Sequence, residues 1–310
     1  MNRIFIATSS FSENSEKPLR LLKKHNLTIK VNPLNRKLTP EELIYYGGDA
    51  LGIIAGTESY SKSMIEQLKE LIIISRLGKG MDNIDITSAR EKGVKVLQTK
   101  TTPAPAVSEL VLGLILNIAR KICQSDKALK KGKWKKQMGS LVQGKTLGII
   151  GLGSIGKSLV KLVKGFNFHI LAYDICQDET FAAENGVVYC DLDKLFLESD
   201  IVSIHMNLTN ESKGLISRKL LKKMKADSII INTSRGEIVD ENALYSALKN
   251  GKLAGAGLDV FEQEPYSGPL TELENVVLTP HIGSYAKEIR VQMEIEAANN
   301  IIKGLSLEEK

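Results

Sequence analysis

The sequence has few cysteines and no apolar run long enough to cross a membrane. Its three cysteines, Cys123, Cys176 and Cys190, do not have the spacing of a metal site. An odd number in a chain of this length indicates reduced thiols, as in a cytoplasm. The longest apolar stretch, residues 110–119, is well short of the roughly 20 residues that a membrane span needs. No cleavage-site pattern follows the N-terminal apolar run, so we expect a cytoplasmic protein without signal peptide or membrane segment.

A strong charge of one sign is also missing. The 42 Lys and Arg residues against 36 Asp and Glu residues give a net charge of +6, which suits a small anionic ligand but does not indicate nucleic acid. The densest basic cluster surrounds Trp134 and consists of Lys127, Lys130, Lys131, Lys133, Lys135 and Lys136. We interpret it as the solvated end of a helix, with a polyanion-binding module as the alternative.

Short β-branched runs alternate with amphipathic segments over the first hundred residues. The strand-like runs are residues 4–7, 28–31, 50–55, 72–77 and 94–98. Between them, Thr39, Pro40 and Glu42 form a capping-box pattern that predicts the start of a helix. Strands that alternate with helices predict a mainly parallel sheet covered by helices.

A second alternating series follows a helical pattern at residues 107–131, which we interpret as one long connecting helix. Its strand-like runs are residues 146–150, 169–173, 187–189, 201–205, 228–232, 254–259 and 276–279. Seven strands are enough for a complete dinucleotide-binding sheet. Because 310 residues are too many for one ordinary core, the sequence predicts two α/β domains. A last helical pattern, from about residue 286, is expected to pack back on the first.

The string GLGSIG at residues 151–156 matches a dinucleotide-binding fingerprint, because it follows an apolar strand and opens a helix. Gly151 permits the turn, Gly153 lets the backbone approach a pyrophosphate, and Gly156 lets helix and strand pack closely. Asp174, at the end of the next strand, can accept hydrogen bonds from the adenosine ribose and would repel a 2′-phosphate. A structural glycine turn beside a surface aspartate is the alternative. We predict NAD as the cofactor.

Hydride transfer to a carbonyl leaves an alkoxide, and histidine is the side chain whose ordinary pKa suits the acid that protonates it. Of the four histidines, His25 and His169 are interpreted as structural or exposed, and His205 as a packing residue that can also line the site. His281 follows the last predicted strand, in a loop at the carboxyl edge of the sheet, where ligands bind. His281 is therefore the predicted catalytic acid.

Two more charged residues follow neighbouring strands of the same predicted sheet. Arg235 comes after the strand at residues 228–232 and can hold a substrate carboxylate through two N–H groups. Glu264 follows the next strand and can orient the imidazole of His281. Each could by itself be a surface salt-bridge residue. Because all three follow consecutive strands, we predict a catalytic group of Arg235, Glu264 and His281.

Taken together, these motifs resemble the D-isomer-specific 2-hydroxyacid dehydrogenases, and most of all the D-3-phosphoglycerate dehydrogenases among them. The resemblance rests on residues 78–85, 133–134, 151–156, 232–236, 259–265 and 280–283. In that family, the Arg, Glu and His at these motif positions are catalytic. The resemblance implies an NAD-binding Rossmann domain at residues 101–285, inserted into a smaller flavodoxin-like substrate domain at residues 1–100 and 286–310. It also implies a homodimer built around the cofactor domains.

The resemblance further implies which residues contact each ligand. The implied cofactor contacts are Gly151, Gly153, Ser154, Ile155, Gly156, Asp174, His205, Asn207, Thr233, Ser234, Asp259 and Gly283. The implied substrate contacts are Gly78, Lys79 and Arg235. The implied reaction interconverts a D-2-hydroxy acid and its 2-oxo acid. The first choice is 3-phosphoglycerate and phosphohydroxypyruvate, a step of serine biosynthesis, with glyoxylate, hydroxypyruvate or another 2-oxo acid as the alternative.

Two positions depart from the family pattern. Asn207 stands where the family usually has proline in His-x-Pro-Leu, which puts the contacts on the nicotinamide side in doubt. Lys79 stands where a small apolar residue is common, and it could bind a substrate phosphate or face the solvent. The sequence ends at Lys310, before any regulatory domain of the kind many D-3-phosphoglycerate dehydrogenases carry, so serine feedback is not expected.

Two other functions remain open at this point. Formate dehydrogenases share the architecture but pair the histidine with glutamine, so Glu264 argues against that activity. NAD-sensing corepressors of the superfamily can retain all three catalytic residues, so the motifs do not exclude a binding protein without turnover.

Overall fold

The computed structural model describes residues 3–307, which divide into two compact units. The first contains residues 3–102 and 285–307, and the second contains residues 103–284. The strands are β1 (Arg3–Ile6), β2 (Thr28–Val31), β3 (Gly52–Ala55), β4 (Ile73–Arg76), β5 (Lys95–Gln98), β6 (Thr146–Ile150), β7 (His169–Tyr173), β8 (Val187–Tyr189), β9 (Ile201–Ile204), β10 (Ile229–Asn232), β11 (Gly255–Leu258) and β12 (Val276–Leu278). Every predicted strand is present, and no bound differs by more than two residues.

The α-helices lie between the strands, as the alternating pattern predicts, except α12, which follows the last strand. They are α1 (Lys17–Lys24), α2 (Pro40–Gly47), α3 (Lys62–Gln67), α4 (Ile86–Glu91), α5 (Ala104–Arg120), α6 (Ile122–Lys130), α7 (Ser154–Leu162), α8 (Glu179–Asn185), α9 (Leu192–Glu198), α10 (Arg218–Leu221), α11 (Glu241–Lys249) and α12 (Lys287–Gly304). The capping box at the start of α2 is confirmed: the Glu42 N–H donates to Thr39 Oγ1 (3.3 Å), and the Thr39 N–H donates to the Glu42 carboxylate (3.0 Å).

The first unit is built on a parallel sheet in the order β2-β1-β3-β4-β5, which is the flavodoxin-like order. Side chains alternate between its two faces along each strand. Ile4 and Ile73 pack with Ile301 of α12 on one face, whereas Phe5 and Ile74 belong to the core on the other. The closing helix α12 therefore packs against the first sheet.

The second unit is built on a parallel sheet in the order β12-β11-β10-β9-β6-β7-β8. Its first six strands in chain order have the arrangement of a dinucleotide-binding sheet, and β12 adds a seventh at one edge. Strands β9, β10 and β11 are buried along their whole length. These observations confirm the predicted fold class of two doubly wound α/β sheets.

The prediction of one long helix at residues 107–131 is wrong. The helix is interrupted at Lys121, whose φ of 53° lies in the left-handed region. Helix α5 ends just before this residue, and α6 begins just after it. The Asn117 side chain accepts the Cys123 N–H at 3.0 Å, which replaces a partner that a continuous helix would supply. No proline or glycine lies at this interruption, so the helical pattern of the sequence continues across it.

Other sequence features have simple positions in the structure. Lys127 and Lys130 lie in the last turn of α6, and all six lysines of the basic cluster are exposed. The three cysteines are free thiols. Among residues 3–307, no helix is long and apolar enough to cross a membrane. The same part of the chain contains no group of three or more His, Cys, Asp or Glu side chains placed to hold a metal ion.

Candidate active site

The predicted site residues of the second unit meet at one edge of its sheet. The strands β6, β9, β10, β11 and β12 are parallel, so their carboxyl ends lie together. The loops that follow these strands contain the glycine string, His205, Arg235, Glu264 and His281. In open α/β sheets, this edge is where ligands bind.

The glycine string forms a tight turn, and the surroundings of a side chain would differ at each of its three glycines. Gly151 has a φ of +93°, and a Cβ there would lie 2.8 Å from the carbonyl carbon of His205. A Cβ at Gly156 would lie 2.5 Å from the Gly151 carbonyl oxygen. A Cβ at Gly153 would meet no atom within 4 Å. Gly151 and Gly156 are therefore fixed by packing, whereas Gly153 faces open space.

The open space lies at the N-terminus of α7. Gly153 is the N-cap residue and makes no side-chain cap hydrogen bond, so the first-turn N–H groups remain available to an anion. A diphosphate fits this arrangement because it needs N–H donors, partial positive charge and room for close approach. The local structure thus fits the cofactor that the fingerprint predicts.

Asp174 is tied to the glycine turn. Its Oδ2 accepts the Leu152 N–H at 2.6 Å, and its Oδ1 accepts the Cys176 N–H at 2.9 Å. Each carboxylate oxygen can still accept a further hydrogen bond. Ile175 follows directly and is 86% exposed, which sequence reasoning missed. The signal in the sequence is an apolar residue directly after the Asp174 carboxylate, which could have predicted an exposed apolar side chain next to it.

His281 and Glu264 form a hydrogen-bonded pair. The His281 Nδ1 lies 3.0 Å and 3.2 Å from the two carboxylate oxygens of Glu264, and the Phe261 N–H donates to the same carboxylate at 3.2 Å. Both side chains are partly exposed. Because Nδ1 faces the carboxylate, Nε2 is the ring nitrogen that can serve a reacting group.

Asp259 holds the loop that carries His281. Its buried carboxylate accepts the Thr279 hydroxyl at 2.6 Å and the Ile282 and Gly283 N–H groups at 2.8 Å each. Burial raises the pKa of Asp259, and these hydrogen bonds oppose the rise. The Asp259 carbonyl also accepts the His281 N–H at 2.9 Å, while His281 has a φ of +56°. Sequence reasoning gave Asp259 a cofactor contact and missed this role with Thr279.

Arg235 lies in a turn that Asn232 shapes. The Asn232 side chain accepts the Ser234 N–H at 3.0 Å and donates to the Arg235 carbonyl at 2.9 Å. The next residue, Gly236, approaches the following loop so closely that a Cβ would lie 1.9 Å from the carbonyl carbon of Phe261. The loop of Arg235 therefore touches the loop that leads to Glu264.

Two buried polar atoms at the same edge have no hydrogen-bond partner within residues 3–307: His205 Nδ1 and Thr233 Oγ1. The other ring nitrogen of His205 lies 2.8 Å from the Ser203 hydroxyl. Burial lowers the pKa of His205 to about 4, so the ring is neutral near neutral pH. Buried polar atoms without protein partners are commonly satisfied by a ligand or water. Both residues are among the predicted cofactor contacts.

The remaining predicted contacts are distributed over both units. Ser234, with its hydroxyl donating to Asn232 at 2.8 Å, is buried, and Asn207 is exposed after β9. Gly78 and Lys79 lie in the first unit, after β4. Gly78 has a φ of +144° and Lys79 is exposed.

Comparisons with known proteins show which sequences and folds the chain resembles. The sequence model described as "D-isomer specific 2-hydroxyacid dehydrogenase, NAD binding domain" matches residues 112–283. A hydroxypyruvate reductase from Thermotoga maritima is 44% identical over 261 residues, which cover 82% of this chain and 84% of that protein. A D-3-phosphoglycerate dehydrogenase from Archaeoglobus fulgidus is 38% identical over 299 residues, covering 94% of this chain and 56% of that longer protein. The crystal structure of the TT0316 protein from Thermus thermophilus superposes with a TM-score of 0.88 at 31% identity, covering 99% of this chain and 98% of that one.

Proposed function

The chain belongs to the D-isomer-specific 2-hydroxyacid dehydrogenases, which are NAD-dependent oxidoreductases, and on that premise we propose that it reduces hydroxypyruvate or a 2-oxo acid of similar size. The observation that carries the proposal is the pairing of His281 Nδ1 with the Glu264 carboxylate at 3.0 Å. The loop leading to Glu264 touches the loop that carries Arg235. A general acid, an orienting carboxylate and a guanidinium group are the side chains that this reduction needs.

In this mechanism each of the three residues has one task. Arg235 holds the substrate carboxylate through two N–H groups and polarises the 2-oxo group. When bound, NADH would supply the hydride for C2. Protonated His281 donates the proton on Nε2 to the 2-oxo oxygen, and Glu264 keeps the imidazole oriented by accepting the hydrogen on Nδ1. In the oxidative direction, neutral His281 takes the proton of the substrate hydroxyl instead.

The cofactor contacts follow from the loops at the sheet edge. We assign the diphosphate to the α7 N-terminus, with Gly151, Gly153, Ser154, Ile155 and Gly156. Asp174 is assigned to the ribose hydroxyls, which favours NAD over NADP. The unpartnered buried atoms of His205 and Thr233 support contacts on the nicotinamide side. Asn207, Ser234, Asp259 and Gly283 are assigned to the same side on the family resemblance alone. A higher kcat/KM with NADPH than with NADH would contradict the role of Asp174.

The choice of substrate rests on the relatives and on one loop. The hydroxypyruvate reductase relative is more identical than the phosphoglycerate dehydrogenase relative, and this chain spans more of its length. We therefore place hydroxypyruvate first and phosphohydroxypyruvate, the first choice from the sequence, second. Only phosphohydroxypyruvate as the substrate would put the enzyme in serine biosynthesis. The phosphorylated acid remains the second candidate because Lys79 is exposed in the loop assigned, with Gly78, to the substrate.

A steady-state panel tests the proposal. Hydroxypyruvate, glyoxylate, phosphohydroxypyruvate and a longer 2-oxo acid are compared with NADH and NADPH, for the wild type and for Lys79→Met. Highest kcat/KM on hydroxypyruvate, with little change in Lys79→Met, supports it. A preference for phosphohydroxypyruvate that Lys79→Met abolishes would establish the second candidate instead.

The same panel addresses the other functions. A protein that binds NADH tightly but reduces none of the acids would fit an NAD-sensing corepressor. Oxidation of formate would fit a formate dehydrogenase, which the Glu264 carboxylate disfavours. A polyanion-binding module would show binding that weakens steeply with salt, and the exposed lysines near Trp134 are the residues to replace.

We further propose a homodimer formed through the second unit. Residues 122–141 expose several large apolar side chains, which are Ile122, Leu129, Trp134, Met138 and Leu141. Apolar side chains clustered on a surface segment are typical of protein interfaces. Trp134, at 84% exposure, is the best single probe. Sedimentation of the wild type as a dimer and of Trp134→Glu as a monomer would support this interface, and a monomeric wild type would refute it.

A further inference from the structure

A cluster of buried polar side chains in the first unit lies between the loop after β3 and the loop after β4. Neither loop contains a residue of the catalytic group. Arg76, the last residue of β4, is 7% exposed, and Glu58, in the loop after β3, is 3% exposed. Side chains with a full charge are rarely buried unless a structural or functional role keeps them there. The contacts of Arg76 show what it holds.

The guanidinium of Arg76 packs against the loop that begins at Gly78. Its Nη1 donates to the carbonyl of Leu77, and its Nε donates to Asn83 Oδ1 at 3.3 Å. A Cβ at Gly78 would lie 2.8 Å from Nη1. Gly78 also has a φ of +144°, a backbone conformation that side chains disfavour. The guanidinium therefore occupies the space that any side chain at Gly78 would need.

Other hydrogen bonds of the same cluster also hold the loop that begins at Gly78. The Gly78 N–H donates to the Thr99 hydroxyl at 3.1 Å. Asn83, which accepts from Arg76, donates to the carbonyls of Gly56 at 3.2 Å and Glu58 at 2.6 Å. Burial raises the pKa of Glu58, and the positive charge of Arg76 opposes this rise. The loops after β3 and β4 are thus joined by Asn83 and by the backbone pairing of Tyr60 beside it, and Arg76 ties the segment that begins at Gly78 to Asn83.

We propose that Arg76 is a positioning residue, which holds residues 78–80 in the backbone conformation that binds the substrate. This inference rests on the proposed function, which assigns Gly78 and Lys79 to the substrate. An arginine suits the task because its planar fork can donate in several directions from one rigid group, whereas a lysine ammonium is a single point at the end of a flexible stem.

Arg76→Lys is the main test, because it keeps the charge near Glu58 and removes only the fork. We expect the KM for the preferred 2-oxo acid to rise about tenfold, the effect of losing one hydrogen bond to a charged group. The change in kcat is expected to be smaller, and the NADH Kd, measured by fluorescence titration, should not change. The matched control is Arg90→Lys, because Arg90 is exposed on α4 and its replacement should alter neither constant.

Hydrogen exchange gives a second readout that does not depend on turnover. The peptide that contains residues 77–83 should exchange faster in Arg76→Lys than in the wild type or in Arg90→Lys. Unchanged exchange in this peptide would overturn the proposal. Faster exchange with an unchanged KM would also overturn it, because Arg76 would then be only a structural residue.

A further variant covers the case in which Arg76→Lys does not fold. The double variant Arg76→Met with Glu58→Gln removes both charges together, and the same increase in KM and in exchange is expected. If the wild type reduces no acid of the panel, the proposed function fails. The exchange measurement then decides separately whether Arg76 holds the loop.

Discussion

The two sheets of this chain are both parallel and doubly wound, but their strands are followed by different kinds of loop. After β6 in the second unit, a Cβ at Gly153 would meet no atom within 4 Å. After β3 in the first unit, a Cβ at Gly56 would lie 3.0 Å from the Glu58 carboxylate and 3.3 Å from Thr8. The doubly wound topology provides a crevice at the carboxyl ends of its strands. The comparison teaches that loop side chains decide which part of that crevice stays open for a ligand and which part, such as the space after β1 and β3, is filled by the protein itself.

The largest effect is expected at the open edge, in His281→Asn. Asparagine tolerates the φ of +56° at this position, so the substitution removes the acid without straining the backbone. We expect kcat/KM for the preferred 2-oxo acid to fall by about 10² to 10⁴, the usual contribution of general acid catalysis. The NADH Kd and the Tm should stay near their wild-type values. The control is His169→Asn, on an exposed residue; a His281→Asn enzyme as active as this control would contradict the assignment.

The filled part of the first unit's edge, after β1 and β3, should respond through stability instead. Arg290 and Glu294, both buried, form an ion pair at 3.0 Å, and Arg290 also donates to Thr8 at 3.0 Å and Ser10 at 3.1 Å. Arg290→Met leaves the Glu294 charge buried without its cation, which should lower the free energy of unfolding by about 3–5 kcal/mol. Urea denaturation measures this change, and NADH affinity should be retained. The double variant with Glu294→Leu should recover much of the loss; a double variant less stable than the single one would refute this explanation.

Acid should act in opposite directions on His205 of the second unit and on two buried carboxyls of the first. Burial lowers the pKa of His205 to about 4 from its ordinary value of 6.5. Between these values the unfolded chain binds a proton that the folded chain does not. The His205 contribution is therefore complete above pH 6.5 and is lost as pH falls toward 4, by about 3 kcal/mol at most. Burial raises the pKa of Glu58 and Glu294, so these carboxyls act in the opposite direction.

The variant His205→Gln isolates this contribution. Its free energy of unfolding should depend less on pH than that of the wild type, when both are measured by urea denaturation at about pH 7.5 and about pH 5. An equal pH dependence in both proteins would show that His205 is not protonated on unfolding in this range.

The smallest effects are expected within the glycine turn itself. Gly153→Ala should fold normally, because its Cβ meets no protein atom, but the methyl group would enter the space assigned to the diphosphate. We expect the NADH Kd to rise about tenfold with an unchanged Tm. Gly156→Ala, whose Cβ would lie 2.5 Å from the Gly151 carbonyl oxygen, should instead lose about 1–3 kcal/mol of stability through overpacking. Unchanged NADH affinity in Gly153→Ala would contradict the claim that the open space at Gly153 receives the diphosphate.

The sequence predicted the features that are local or periodic. The strands follow from short β-branched runs, and the glycine turn follows from its position between a strand and a helix. Arg235, Glu264 and His281 could be predicted to lie near one another because each belongs to a loop that follows a strand, and parallel strands bring such loops to one edge. The pairing of His281 with Glu264 was therefore predictable, although its distance was not.

The features that sequence reasoning missed depend on contacts between distant residues. Asp259 accepts hydrogen bonds from Thr279 and from two N–H groups that lie 20 to 24 positions away, and no pattern in the sequence predicts these contacts. Arg76 was missed because it ends a buried strand, where a charged residue looks like an exception to the pattern. The break at Lys121 was missed because the helical periodicity is the same on both sides of it.

The close contact at Gly236 has a consequence for redesign of the enzyme. Because no side chain fits between Gly236 and the backbone of Phe261, the segment that carries Arg235 and the segment that leads to Glu264 can be exchanged only together. A chimera that takes residues 259–265 from a relative should also take residues 232–238 from the same relative. For recombination, these two stretches behave as one inherited block, although 20 residues of the chain separate them.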